Sequence, residues 1–111
     1  MNKDPDFYIE HILEAIGKIK KFTQGLDKAE FLENELVKDA VVRNIEIIGE
    51  AVKNLPDGFK KVHPEIPWKD ISGIRDRIVH FYFGLDFDVV WDTVKNDLPD
   101  LEKKMQNLVK R

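Results

Sequence analysis

The sequence predicts an all-α fold, an up-and-down bundle of four or five helices formed by residues 1–111 as a single domain. Three observations carry this expectation. Apolar residues recur at intervals of three and four along most of the chain, the segments so patterned are separated by Gly, Pro and Asp, and no run alternates apolar with polar as a half-buried strand does. At 111 residues with 42% hydrophobic and 35% charged positions, there is material for one real core and not for two, which sets multidomain enzymes aside.

From Phe7 to Phe22, the residues Ile9, Ile12, Leu13, Ile16 and Ile19 make one apolar stripe and predict a first helix. Gly25-Leu26-Asp27 interrupts it. Asp27 with Glu30 three residues on has the spacing of a capping box, so a short turn of helix should follow through Phe31 and Leu32. Leu36, Val37, Ala40, Val41, Ile45, Ile48, Ala51 and Leu55 then predict one long helix over 34–55, stopped by Pro56-Asp57-Gly58. Gly49 inside that helix costs about 1 kcal/mol relative to Ala, which points to close helix packing there. Residues 57–67, with Gly58, Pro64 and Pro67, read as a connecting loop, and Pro67 suits the first turn of the next helix. That third helix should carry Trp68, Ile71, Ile74, Ile78 and Phe81 and end near Gly84 in a left-handed cap. Asp86 or Asp88 can cap a fourth helix with Val89, Val90, Trp91, Val94 and Leu98, and Pro99 starts or kinks into a last segment with Leu101, Met105 and Leu108. Trp68 and Trp91 are expected as core or hinge aromatics rather than base-stacking platforms.

Composition narrows the chemistry. Without Cys there is no disulfide framework, no thiolate metal site and no Cys nucleophile. The first residues lack an apolar signal core, and no stretch approaches the roughly 18 apolar residues of a membrane span, so a cytoplasmic protein with no membrane partner is expected. The balance of 18 basic against 21 acidic side chains, net −3, argues against a protein that holds nucleic acid by bulk charge. No Glu-x-x-His pair occurs, which disfavours a di-metal bundle site.

The informative segment is Arg75-Asp76-Arg77-Ile78-Val79-His80-Phe81-Tyr82-Phe83. On a helical wheel, Ile71, Ile74, Ile78, Phe81 and Leu85 fall within about 80° of one another and form the face that enters the core. Arg75 and Tyr82 lie on one line to the side, with Val79 and Phe83 on the same flank, and Asp76 and His80, four apart, stack at its outer edge. A second apolar flank needs a cover, and a two-fold homodimer is the commonest one. Such a dimer gathers two Arg, two His and two Tyr in one cleft, suited to a phosphodiester: guanidinium grips phosphate oxygens, and His near neutral pH moves a proton during attack of a ribose hydroxyl. Neither metal nor cofactor is required.

Arg75, four intervening residues, His80, one residue and Tyr82 match an R-x4-H-x-Y motif, and the sequence resembles HepT toxins of the HEPN superfamily. The likeness also takes in Val42 through Ala51, Pro64 through Ile71, Phe83-Gly84-Leu85-Asp86 and Trp91 through Pro99. The resemblance implies a metal-independent endoribonuclease working as a homodimer, with Arg75 stabilising phosphate charge and His80 assisting proton transfer, leaving a cyclic phosphate and a free 5′-hydroxyl. It implies that Tyr82 is modified with AMP by a cognate MntA-type nucleotidyltransferase antitoxin. Position 76 holds Asp where many relatives have Asn, and a carboxylate there can either orient His80 or repel substrate.

Plainer roles stay open beside these. Arg75 can be a surface ion-pair partner of Asp76 or of a carboxylate on the second long helix, His80 a hydrogen-bonded structural residue, and Tyr82 an interface aromatic. Glu46 and Glu50, one turn apart, place like charges together that Arg43, Lys53 or Arg75 can offset; they either fix Arg75 or shape the cleft, or belong to a solvated face. His11 and His63 read as surface residues. The competing function class is a non-catalytic helical module that binds a nucleotidyltransferase or its nucleotide.

Overall fold

A computed structural model describes residues 4–80 and 84–109, and of His80 the backbone alone. The chain folds as an all-α bundle whose two longest helices, α1 (Pro5–Thr23) and α3 (Glu35–Asn54), pack along each other. Asp4 starts α1, its side chain accepting from the Asp6 N–H at 3.0 Å with Pro5 set in the first turn, where a missing N–H is harmless. The stripe Ile9, Ile12, Ile16 and Ile19 is fully buried. Gly25, at φ +80°, turns the chain into α2 (Lys28–Glu33), where the expected capping box forms: the Glu30 N–H donates to Asp27 Oδ1 at 2.8 Å and the Asp27 N–H to Glu30 Oε1 at 3.0 Å. Asn34 caps α3 through the Val37 N–H at 3.0 Å. Val41, Ile45, Ile48 and Val52 face the core, while Leu36, counted in the apolar pattern, stands 82% exposed.

The stretch 57–67 is not a plain loop. Pro56 leads into a one-turn helix, α4 (Asp57–Lys61), and the Trp68 indole N–H donates to the carbonyls of His63 at 2.9 Å and Lys60 at 3.1 Å, which ties the connection down. His63 is correspondingly half-buried against Phe59, with ring centroids 4.7 Å apart, rather than a surface residue.

The single helix expected over 68–84 is three pieces. The helix α5 (Trp68–Ser72) breaks at Gly73, α6 (Ile74–Ile78) follows, and Val79 turns extended at φ −87°, ψ 122°. Val79–His80 (β1) then pairs antiparallel with Gly84–Leu85 (β2), Val79 opposite Leu85 and His80 opposite Gly84. The physical reason is local: Ile78 and Val79 are β-branched and precede three aromatic residues in the sequence, a composition that favours a pleated strand over a helix. The positive φ of Gly84, +89°, serves the ladder and not a helix cap. Phe81, Tyr82 and Phe83 lie outside the described residues.

Asp86 caps α7 (Phe87–Asp92), accepting from the N–H groups of Asp88 at 3.1 Å and Val89 at 3.2 Å. Its own N–H reaches back to the Ile78 carbonyl at 2.7 Å. A π-helical turn, Thr93–Asp97, joins α7 to α8 (Leu98–Val109), with the Leu98 N–H bonded five residues back to the Thr93 carbonyl. Pro99 supplies the cause: it has no N–H for the Lys95 carbonyl and its ring crowds that carbonyl, so the helix widens ahead of it instead of stopping. Leu98, Leu101, Met105 and Leu108 close the core against α1. Trp68 and Trp91 are both buried, the latter stacked on Phe31 at 5.0 Å between ring centroids.

Candidate functional site

The site follows from one missing side chain. Gly49 on α3 faces the α5–α6 corner, and a Cβ built there would stand 3.5 Å from the Ile71 carbonyl oxygen and 3.7 Å from that of Ser72. Backbone therefore approaches backbone, and Arg75, less than a turn beyond the corner, comes within reach of α3. Its Nε donates to Glu46 Oε2 at 3.3 Å. Both side chains are substantially exposed, 62% for Arg75 and 38% for Glu46, so the pair positions the guanidinium without burying it. Among the described residues only Nε of that guanidinium is engaged, which leaves both terminal nitrogens as donors.

Arg75 and Glu46 stand on the wall of a groove of about 500 Å³. Its floor is the face of α3 that carries Arg43, Glu46, Glu50 and Lys53, residues spaced three and four apart on the outer side of the helix. Its far wall is the first part of α1, with Phe7, Tyr8 and His11. Three cationic side chains thus meet two carboxylates, a local excess of positive charge in a chain whose net charge is −3. His11 is fixed by a 2.8 Å hydrogen bond from Nδ1 to the Phe7 carbonyl; a carbonyl only accepts, so the proton sits on Nδ1 and neutral His11 keeps Nε2 as an acceptor.

The structure therefore brings together four of the residues singled out from sequence, Arg43, Glu46, Glu50 and Arg75. It does not bring Asp76 with them: Asp76 is exposed on α6 and is not a groove residue. The helix that carries Asp76 ends at Ile78 and the His80 backbone belongs to β1, so the expected stack of Asp76 on His80 turns on a side chain outside the described residues. The expected alignment of Arg75 with Tyr82 likewise falls on a residue outside the described ones. Lys53, named in sequence with Arg43 as a basic neighbour of the two carboxylates, joins them, while sequence reasoning missed Phe7, Tyr8 and His11. Their signal was faint, since Phe7 and His11 lie off the buried stripe of α1 where exposure is ordinary.

A second cavity of about 300 Å³ between the α5–α6 corner and α8 holds Arg77, but Asp97 occupies that guanidinium at 2.8 Å, and Thr93 Oγ1 adds a 3.4 Å hydrogen bond. It reads as a structural clasp. Among the described residues no three His, Asp or Glu side chains gather as metal ligands would, and no helix is long and apolar enough to cross a membrane.

Comparison with known proteins adds independent findings. The model of a family described as ribonuclease HepT-like matches residues 12–108. A protein of Thermococcus cleftensis named "Probable ribonuclease HepT" is 46% identical over 110 residues, covering 99% of this chain and 100% of that relative. A "Putative RNase" of Caldanaerobacter subterraneus is 38% identical over 98% of this chain and 97% of its own length. A protein of Methanocaldococcus jannaschii with the same description is 39% identical over 97% of this chain and 89% of its own. No solved structure matches.

Proposed function

The chain belongs to the ribonuclease HepT-like family, and from that premise we propose that it is a metal-independent endoribonuclease acting as a homodimer, with the segment around Arg75 and His80 of each copy lining a shared cleft. The observation that carries this reading is the state of Arg75. It is exposed on a groove wall, held at Nε by Glu46, with its terminal nitrogens uncommitted among the described residues. A guanidinium so placed offers a fork to two phosphate oxygens and keeps its charge throughout the reaction.

In the reaction, the ribose 2′-oxygen attacks the adjacent phosphorus while His80 takes its proton. The bond from phosphorus to the 5′-oxygen breaks, that oxygen is protonated, and a 2′,3′-cyclic phosphate and a free 5′-hydroxyl remain. Arg75 neutralises the charge that builds on the phosphoryl oxygens, the electrostatic part of the catalysis. The chain acts as the toxin of a toxin-antitoxin pair, and an MntA-type nucleotidyltransferase silences it by adding AMP to Tyr82. The added phosphodiester is an anion that competes with RNA for Arg75.

Cleavage of single-stranded RNA in EDTA by the purified protein tests the activity. Wild type should cut, and Arg75→Ala and His80→Ala should each lose about 100-fold or more in rate with helical circular dichroism unchanged. No cleavage by wild type, or undiminished cleavage by both variants, would defeat the reading. Mass spectrometry of Tyr82 after co-expression with the nucleotidyltransferase tests the switch; an unmodified Tyr82 in a silenced complex refutes it.

A further inference from the structure

The groove contains more than the positioning of Arg75 requires. On α1, Phe7 is 40% exposed as a residue, and its ring lies 4.3 Å from the His11 ring and 5.3 Å from the Tyr8 ring, centroid to centroid. Tyr8 is half-buried against the core and His11 is anchored to the Phe7 carbonyl, so the aromatic rim is held in place before anything binds. Across from it, Arg43 stands one turn from Glu46 and Lys53 one turn from Glu50, yet neither cation forms an ion pair among the described residues. Uncommitted cations facing aromatic rings across about 500 Å³ are what a nucleotide needs, a π-face for the base and positive charge for its phosphate, in a volume within the roughly 300–1,000 Å³ of ligand sites.

We propose that the groove between α1 and α3 binds one unstacked nucleotide of single-stranded RNA beside the cleavage position, its base against Phe7 and His11 and its phosphate on Arg43 and Lys53, with the RNA-cleaving activity above as premise. Arg75, shared between this groove and the catalytic segment, makes the two continuous. A duplex keeps its bases stacked on each other and offers no free face to the rim, so the groove selects single strands.

A 2′-O-methylated RNA oligonucleotide, which lacks the attacking hydroxyl, carries 2-aminopurine at one position and is titrated with the protein while anisotropy and emission are followed. Wild type should bind and quench the probe. The double variant Phe7→Ala/His11→Ala should bind about tenfold more weakly and leave the probe bright at saturation, because one base–aromatic stack is lost. Arg43→Ala should weaken binding about as much and still quench at saturation. These side chains are exposed, and circular dichroism confirms that the helices are intact. If all variants bind and quench like wild type while wild type cleaves RNA, the groove assignment falls and the ribonuclease reading stands. If the variants lose binding beside a wild type that cuts nothing, the groove stands and the ribonuclease reading falls. Free AMP binding as tightly as the oligonucleotide would reassign the groove to a soluble nucleotide and overturn the proposal.

Discussion

Gly49 shows what a single residue decides. The space above it admits a methyl group at ordinary van der Waals distance but lies against the Ile71 and Ser72 carbonyls, so a longer side chain has to push backbone. Gly49→Ala should therefore be neutral or raise the thermal midpoint, gaining up to about 1 kcal/mol of helix propensity. Gly49→Leu should lose about 1–3 kcal/mol and detach Arg75 from Glu46. Glu46→Gln separates positioning from stability: the exposed pair is worth about 1 kcal/mol at most, so the melting temperature should barely move while cleavage falls through a looser Arg75. A parallel loss of both would show that the pair is structural only. Arg43, Glu46 and Glu50 were legible as a group because one helix spaces them on one face. Phe7 and His11 were not, since it is the packing of α1 on α3 that sets them across a groove from Arg75.

Among the elements, the two long helices and the Asp27 and Asp86 caps could be read from the chain because their signals are local: an Asp oxygen meets an N–H two or three residues on, whatever the rest of the molecule does. Asp27→Ala should cost about 1 kcal/mol, measured by chemical denaturation, by removing half of the capping box. The segment after Ile78 misled for a reason equally local. Its apolar spacing fits a helix, but its β-branched and aromatic residues favour extended backbone, and the Asp86 N–H bonded to the Ile78 carbonyl closes the short ladder. Between elements, Lys28 of α2 meets Asp88 of α7 at 3.0 Å, and the carboxylate raises the lysine above its ordinary 10.5. Because the folded value is the higher one, the contribution is complete below that ordinary value and disappears as pH rises through the raised one. The alkaline limb of stability should therefore flatten in Lys28→Met, by a small amount, since the pair is in solvent.

At the scale of the molecule, the net charge of −3 and the cationic groove make one combined statement. Affinity for RNA should be local rather than diffuse. With Arg43 and Lys53 on one phosphate and Arg75 on the next, log K should fall against log salt with a slope of about −1.4, roughly −0.7 for each of two phosphates on a single strand. A much steeper slope, measured by anisotropy from low to physiological salt, would mean that binding spreads over surface lysines elsewhere. The charge balance in the sequence hinted at this, but the groove exists only where α1, α3 and the α5–α6 corner converge, and no linear pattern records that convergence.

The two buried tryptophans give the molecule its own optical reporters. Trp68 is fastened by its indole to the 57–67 connection, and Trp91 lies on Phe31 beneath the Lys95 ammonium, 4.7 Å from the ring centroid. Each is shielded from water in the folded chain, so emission from either should shift to the red on unfolding, and single-tryptophan forms made by Trp68→Phe and Trp91→Phe read different regions of the bundle. Coincident midpoints in urea would show one cooperative unit, whereas an earlier red shift from Trp68 would mark the α4 region as the first part to open.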